Sequence, residues 1–488
     1  MNLITEKTPG RLAGDRVQRI FLLVYTLAIT AWLVWLSFRI IGPVDGGDGM
    51  NHFFIAQASW TDPTFLLNHW GKPLFTLFSS PFAQFGLQGM LWFNCCAFAA
   101  TTLVGFRMLR KLSVPLILQL FFPVLLLLSP DYLANVLAGL TEPFFGFLLV
   151  LACHFLLERK YILFAIIVSF LPFARSEGQL MVVLAAGVLL FHKEWKALPF
   201  LLIGHFVYAI AGLIALDNFW WYFTDNPYSG DSIYGHGTWD HFWERKTYYL
   251  GEHGFLAIGL GLLGLLYVFL IDESRRIRWD FVLFGGLSFT GIVLVHAYLW
   301  ATGQSGSLGL TRVCTLGLPV MLLIVLYMVR QFDIFHWHIV QGLFLCLLIY
   351  MAWPLSKNPY TNWRPMAMEA CIIEAADYVV QHKQPGVKAY YYHPLFALSV
   401  GVNPKQPEVD YRFRNFHAVG KELAEMQVGD LILRDSHFGP VECGLPLDSI
   451  QNRPDWKLLK EFVSPEPGSS YHGEHWNVKI FVKTKDNR

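Results

Sequence analysis

The stretch YILFAIIVSFLPFARSEGQLMVVLAAGVLLF, residues 161–191, decides how the chain folds. Taken as one helix it would be a long apolar span with Arg175 and Glu177 at its middle. A charged side chain at the centre of a membrane helix costs about 2.5–3.5 kcal/mol on insertion scales. Two halves, 161–173 and 178–191, avoid that cost by breaking at Arg175-Ser176-Glu177-Gly178. The first half has 13 residues, about 20 Å of helix against a hydrocarbon core of about 30 Å. Non-helical polar backbone at membrane depth is tolerated only where it lines a cavity or is covered by protein. The stretch therefore predicts two half-depth helices whose charged turn lines a polar cavity. Merging the halves would also carry Lys193 and Lys196 away from the side on which the other basic loops fall.

Composition extends this reading to most of the chain. Of 488 residues, 54% are hydrophobic and only 15% charged, and the mean hydropathy is +0.41. Soluble proteins carry about 25% charged residues. Residues 1–356 hold 21 Lys/Arg and 20 Asp/Glu, whereas the 132 residues of 357–488 hold 16 of each. The first part is made for lipid and the second for water. A net charge of +1 leaves no electrostatic footprint for nucleic acid, and the apolar fraction excludes a disordered chain.

Further apolar runs lie at 20–41, 86–106, 114–128, 133–157, 197–216, 254–271, 281–301, 313–329 and 338–354. With the two halves, the sequence predicts a polytopic α-helical membrane protein of about 11 transmembrane helices. The first run is too long for a signal-peptide core and lacks a small-x-small cleavage site, so it reads as a retained span. With a cytoplasmic N-terminus, the inner segments hold fifteen Lys/Arg: Lys7, Arg11, Arg16, Arg19, Arg107, Arg110, Lys111, Arg159, Lys160, Lys193, Lys196, Arg275, Arg276, Arg278 and Arg330. The outer segments hold six: Arg39, Lys72, Arg175, Arg245, Lys246 and Arg312. The bias sets the orientation, and an odd number of spans puts the C-terminal part outside. The localisation predicted is a bacterial inner (plasma) membrane with a periplasmic or extracellular C-terminal domain.

Residues 357–488 read as that extracytoplasmic α/β domain. Helical patterns run over 367–382, 417–427 and 455–461, and strand patterns over 388–392, 430–434 and 478–483. The seven cysteines show no CxxC spacing. Five lie in or beside apolar runs as small hydrophobes, and only Cys371 and Cys443 are candidates for a disulfide.

The outer loops 42–85 and 217–253 are long and rich in Trp, His, Asp and Gly, while inner loops are minimal, so the chemistry is expected outside. The densest polar cluster is Asp45-Gly-Gly-Asp48-Gly-Met-Asn51-His52, followed by His69-Trp-Gly-Lys72-Pro. A carboxylate just beyond a span, in a glycine-rich turn that lets a ligand approach, is placed to act as a general base. The competing reading is that Asp48 caps the helix that follows it. Glu142, in Leu140-Thr-Glu-Pro143 about two turns into a span, joins Arg175, Glu177, His296 and Arg312 as polar residues at membrane depth or its outer rim. They face a cavity or one another; the structural alternative is Arg175–Glu177 and Arg312–Glu142 ion pairs that fix helix packing, and His296 reads as a hydrogen-bonded packing residue. Trp60, Trp70, Trp220, Trp221, Trp239 and Trp243 fit an interfacial belt better than a sugar-stacking platform. His236, Asp240 and His241 match no metal-site spacing, and no metal or other cofactor is predicted.

Acidic residues directly after the first span, Thr-Glu-Pro at 141–143, Arg-Ser-Glu-Gly at 175–178 and Arg312 followed by Pro319 together resemble the GT-C membrane glycosyltransferases. Within them the pattern is most similar to polyprenyl- or dolichyl-phosphate-mannose-dependent mannosyltransferases and the aminoarabinose transferase group. The resemblance covers residues 1–356. The family has adjacent acidic residues in the first outer loop, one acting as base or orienting the acceptor; here they are separated. It implies Asp48 as the better match, with Asp45 second.

The expected reaction moves a sugar, mannose or a relative, from a polyprenyl phosphate to a glycan, lipid or protein acceptor outside the membrane, with inversion. A phosphate leaving group, with a second pKa near 6, needs no acid of the kind a glycoside hydrolase supplies. It needs positive charge, which the resemblance and the residues assign to Arg175 and Arg312, with Lys72 as a further phosphate contact. Glu142, Glu177, His52 and His69 are expected around the substrates. The rival readings are a lipid-linked oligosaccharide flippase or transporter, for which internal repeats are absent, an O-antigen-ligase-like enzyme using a diphosphate donor, and a membrane scaffold without catalysis.

Overall fold

The computed structural model describes residues 9–40, 42–228, 230–271, 277–406, 410–470 and 473–485, with only the backbone for 9–14. Lys7, Arg275 and Arg276, counted above for the inner loops, lie outside the described residues, as does the side chain of Arg11. Two compact units divide the chain: Met1–Phe38 with Leu66–Thr361, and Arg39–Phe65 with Asn362–Arg488. The segment 39–65 thus clusters with the C-terminal residues.

The first unit is all-helical. Its helices are α1 (Pro9–Ser37), α3 (Pro73–Ala83), α4 (Leu87–Lys111), α5 (Leu116–Leu127), α6 (Pro130–Ala138), α7 (Glu142–Leu157), α8 (Tyr161–Ala174), α9 (Gly178–Phe191) and α10 (Ile203–Leu216). Two single turns, α11 (Trp221–Thr224) and α12 (His241–Glu244), lie in the second long loop, before α13 (Lys246–Leu270), α14 (Trp279–Thr302), α15 (Leu318–Val329) and α16 (His338–Ala352). Among the described residues six helical stretches are long and apolar enough to cross a membrane: Asp15–Ser37, Leu87–Lys111, Leu198–Leu216, Lys246–Leu270, Trp279–Thr302 and the stretch that begins with α16. Helices α7, α8 and α9, and Leu318–Phe332, are apolar but shorter. Large side chains such as Leu262, Leu263, Leu266 and Leu270 on α13 are exposed. In water such patches would drive association; against lipid they need no cover.

The division of 161–191 into α8 and α9, broken at Arg175–Glu177, follows the sequence pattern. The runs 114–128 and 133–157 are organised differently. Helices α5 and α6 form a pair bent by 69°, and α6 stops at Gly139, whose φ of 73° is left-handed. That backbone suits a glycine at a helix C-terminus. A new helix then begins at Glu142, with Pro143 in its first turn, where the missing N–H costs nothing. Glu142 is therefore at the head of a helix rather than two turns inside one.

The second unit holds α2 (Asp48–Ala58), α17 (Ala367–His382), α18 (Pro394–Val400), α19 (Val419–Glu425), α20 (Leu447–Gln451) and strands β1 (Ala389–Tyr391), β2 (Tyr411–Phe413), β3 (Leu431–Asp435), β4 (Trp456–Val463) and β5 (Asn477–Lys483). The sheet order is β2-β1-β3-β5-β4, with β1 parallel to β2 and β3, and β5 antiparallel to β3 and β4. Tyr390, Ile432, Trp456 and Phe481 are among its buried core. Residues 455–461, expected as helix, form the edge strand β4. A register shift between Leu458 and Lys460 breaks the two-residue alternation, as a bulge does, and leaves a pattern that imitates a helix. Lys457, Lys460 and Glu461 decorate this edge, and Glu461 pairs with Lys479 of β5 at 2.9 Å, in keeping with the charged edges that discourage further strand addition. Helix α2 is tied to this unit by Asn403, whose amide donates to Phe54 O (3.0 Å) and Gln57 Oε1 (2.9 Å). Cys371 and Cys443 are buried free thiols, so the candidate disulfide is not formed.

Candidate active site

Helix α8 ends because Arg175 takes an extended conformation (φ −163°, ψ 149°). The chain then folds back so tightly that a Cβ on Gly178 would sit 2.2 Å from Leu171 C and 2.3 Å from Pro172 N. Only glycine permits that approach, and it fixes Arg175 and Glu177 as neighbours across the turn. Arg175 Nη2 donates to Glu177 Oε1 at 3.0 Å, and its Nε lies 3.3 Å from both carboxylate oxygens.

The other edge of the same guanidinium reaches the head of α7. Arg175 Nη1 donates to Thr141 Oγ1 (2.8 Å) and Glu142 Oε1 (2.9 Å). Arg312 Nε stands 3.7 Å from the same Glu142 oxygen, and His296, inside α14, donates from Nε2 to Glu177 Oε1 at 3.1 Å. The side chain of Glu142 is only 1% exposed, whereas those of Arg175 and Arg312 are 15% and 16% exposed. The carboxylates thus form the floor, and the guanidinium groups keep a face open.

Uncharged groups hold this frame. Asn94 of α4 donates to Asn135 O (3.0 Å) and Leu140 O (2.8 Å), fixing the α6–α7 corner. The Asn135 amide donates to Thr315 Oγ1 (2.9 Å), and that hydroxyl donates to Arg312 O (2.6 Å). A chain of hydrogen bonds thus runs from α4 to the backbone of Arg312, in the 3₁₀ turn Thr311–Leu316. The donors of this buried network are used by Asn135 O, Leu140 O, Thr315 Oγ1 and Arg312 O, while Asn94 Oδ1 has no hydrogen-bond partner among the described residues; such shared bonds favour one arrangement over several.

A second cluster forms beside the first from the two long loops. Lys72 is buried and has a left-handed φ of 62°, a strained conformation for a non-glycine residue. Its Nζ donates to Tyr228 OH at 2.7 Å and lies 4.1 Å from the Tyr228 ring centre. Tyr228 in turn is within electrostatic reach of Arg175. His69 stacks on Tyr222 with ring centres 4.8 Å apart and donates from Nε2 to Tyr222 O (3.0 Å). Burial, with Lys72 beside it, moves His69 below its ordinary 6.5, so its ring is neutral at pH 7.

Asp45, Asp48 and His52 belong to the second unit. The helix cap differs from the expected one: Gly47, with φ 147°, occupies the cap position and Asp48 is the first helical residue. The side chain that caps is Asp45, whose Oδ2 accepts the Gly49 N–H at 2.8 Å. Asp45 and Asp48 are both half-buried and His52 is buried. In the same unit Glu369, in the first turn of α17, is buried, and its Oε2 has no hydrogen-bond partner among the described residues.

The structure therefore brings together Arg175, Arg312, Glu142 and Glu177 of the residues singled out in sequence, and sets Lys72 and His69 in the adjoining cluster. Both ion pairs of the structural alternative are present. His296 is hydrogen-bonded, as expected, and its partner is Glu177; its imidazole within an apolar run was the available signal. Thr141 was part of the Thr-Glu-Pro motif; Tyr228, Asn135 and Tyr222 carried no signal. Among the tryptophans, Trp221 is buried and donates to Tyr208 O at 2.8 Å, while Trp60, Trp220, Trp239 and Trp243 are exposed. His241 uses both ring nitrogens, accepting from Trp300 Nε1 (3.1 Å) and donating to Gly309 O (2.7 Å). No group of three metal-ligating residues occurs among the described residues.

No family model matches the chain, and no curated protein matches it in sequence. Its fold does match two crystal structures of ArnT from Cupriavidus metallidurans. The apo structure aligns with TM-score 0.57 at 11% identity over 94% of this chain and 97% of that one. The structure bound to undecaprenyl phosphate aligns with TM-score 0.55 at 10% identity over 93% and 97%. At that identity the likeness is one of fold: the chain shares the fold of these two structures.

Proposed function

We propose that the protein is a membrane glycosyltransferase that moves a sugar, mannose or a related hexose or pentose, from a polyprenyl phosphate to a glycan, lipid or protein acceptor on the extracytoplasmic side. The observation that carries this reading is the pairing of Arg175 and Arg312 around one buried carboxylate, Glu142, within 3.7 Å, in a fold shared with a protein crystallised with undecaprenyl phosphate.

Two guanidinium groups held side by side by a buried carboxylate are prepared for an anion. As the sugar–phosphate bond breaks, negative charge grows on the departing phosphate oxygens. Donors already oriented toward that charge stabilise it without reorganising. Arg175 and Arg312 take this role, bidentate where geometry allows. Lys72, fixed by Tyr228 near Arg175, adds a third positive charge. Glu142 and Glu177 orient the arginines, and His296 fixes Glu177 through its Nε2–H.

The acceptor hydroxyl must lose a proton as it attacks the anomeric carbon from the face opposite the phosphate. Asp48 is the base in this reading, and Asp45 holds the start of α2 that carries it. A single displacement inverts the anomeric centre. His52 and His69 serve the sugar or the acceptor. The orientation follows the basic inner loops, with the second unit outside. The test is transfer from synthetic polyprenyl-phosphate sugars by wild type, Asp45→Asn, Asp48→Asn and the double variant, with the product anomer read by NMR. Loss of turnover in Asp48→Asn with an inverted wild-type product is expected; unchanged turnover in all three variants would overturn the base assignment.

A further inference from the structure

A cavity of about 1110 Å³ in the helical unit lies away from the Arg175 cluster. It lies among the N-terminal half of α1, the C-terminal ends of α4 and α7, and the start of α5. Along α7 the wall residue His154 is twelve residues beyond Glu142, about 18 Å at the helical rise. The two sites are separate.

Its polar end is basic. Arg19, Arg107, Arg110 and Lys111 line it against two carboxylates, Asp15 and Glu158. Lys111 is joined to Glu158 at 2.5 Å. Among the described residues, Arg19 and Arg107 both act electrostatically on Arg110 and Asp15 offsets them there. Three guanidinium groups drawn together around one carboxylate repel one another, and an anion among them relieves that repulsion. The start of α5, at Pro115 and Leu116, adds the positive end of a helix dipole.

The other walls are apolar: Leu22, Leu23, Leu103, Phe106 and Leu116. Leu23 and Leu116 are 43% and 37% exposed, so this apolar wall is open rather than sealed. An open apolar wall on helices apolar enough to cross a membrane is one that acyl chains would cover, and a small soluble anion has no use for it. One further wall group is informative. Gln119 is 1% exposed and donates from Nε2 to Val114 O at 2.7 Å, while its Oε1 is buried with no hydrogen-bond partner among the described residues. It is an acceptor waiting for a hydroxyl.

We propose that this cavity binds an anionic glycerophospholipid with a hydroxyl-bearing headgroup: the phosphodiester on Arg19, Arg107 and Arg110, a headgroup hydroxyl on Gln119, and the acyl chains along Leu22, Leu23, Leu103 and Phe106. Nothing in this assignment depends on the transferase reading. Basic pockets between the ends of membrane helices recognise anionic headgroups in this way.

The test is native mass spectrometry of the full chain released from nanodiscs of phosphatidylglycerol, of phosphatidylcholine, or of phosphatidylcholine with added inorganic phosphate. Wild type is expected to retain one phosphatidylglycerol and no phosphatidylcholine. The Arg107→Gln/Arg110→Gln variant, checked for an unchanged melting temperature, is expected to retain it about thirty-fold more weakly, the effect of two surface cations. Because Arg107 is exposed, the single Arg107→Gln variant provides the same reading, about five-fold, if the double variant does not fold. Equal retention of the two lipids, equal retention by variant and wild type, or retention of inorganic phosphate without lipid would each overturn the proposal.

Discussion

Glu142→Gln tests whether one buried carboxylate holds both arginines. Its Oε1 lies 2.9 Å from Arg175 Nη1 and 3.7 Å from Arg312 Nε. At an effective dielectric of about 20 these separations correspond to roughly 6 and 4.5 kcal/mol of attraction. Most of that offsets the desolvation of the three groups, so the net loss on removing one partner is about 3–5 kcal/mol. The amide keeps the shape and one acceptor but leaves the cluster with two arginines against Glu177 alone. The variant should therefore melt several degrees below wild type in detergent. It should also gain more than wild type from added polyprenyl phosphate, because the phosphate replaces the missing negative charge. At a hundred-fold excess over its dissociation constant a ligand contributes about 2.7 kcal/mol, enough to restore most of the loss. Thermal melting with and without polyprenyl phosphate reads both effects. A variant as stable as wild type, or one that gains nothing extra from the phosphate, would refute the argument.

Three other outcomes follow from the same geometry. Gly178→Ala should destabilise by about 3 kcal/mol or more and abolish transfer, since the added methyl meets backbone atoms at 2.2–2.3 Å; melting and turnover check it together. Lys72→Gly should lower donor affinity while changing stability by no more than about 1 kcal/mol, because relief of the left-handed backbone offsets the lost Tyr228 contact; ligand titration against melting separates the two. In the second unit, burial pushes Glu369 up to about 7 from 4.5 and His393 down to about 4 from 6.5. The folded state holds the Glu369 proton more tightly than the unfolded chain, so its contribution is complete below about pH 4.5 and is lost as pH rises through 7. The His393 contribution is complete above 6.5 and is lost as pH falls through 4. Each is worth about 3 kcal/mol, and they oppose each other. Glu369→Gln should therefore be more stable than wild type at pH 8 and should expose a loss of stability on acidification that wild type masks. Equal pH profiles of the two proteins, followed by hydrogen exchange in α17, would refute this.

The parts of the fold legible in sequence were those where local chemistry and tertiary structure agree. The Arg175–Gly178 break was readable because charge, span length and glycine all argued for it. Helix α17 was readable because a single amphipathic face decides it. The α6–α7 corner was harder: Gly139 and Pro143 sit in so apolar a run that hydropathy overwhelmed them. The bulge in β4 concealed a strand from a periodicity argument, because bulges are set by pairing with β5 rather than by the strand itself. At the site, charged residues in apolar surroundings stood out, since their burial demands partners. Tyr228 and Asn135 did not, because a tyrosine in a loop and an asparagine in a helix are unremarkable until their neighbours are known. That Asp45 rather than Asp48 caps α2 turned on Gly47, whose φ no pattern reveals.

The central claim is that Arg175 and Arg312 receive the phosphate of a lipid-linked sugar as it leaves. The most direct measurement is release of polyprenyl phosphate from a synthetic polyprenyl-phosphate mannose, or a related sugar donor, by the full chain in liposomes, compared between wild type and Arg175→Lys and Arg312→Lys. Wild type should release polyprenyl phosphate together with a glycosylated acceptor. Each lysine variant should lose about 10²–10³ in turnover, as when one oriented donor is removed from a developing negative charge. Release undiminished in both variants would contradict the account.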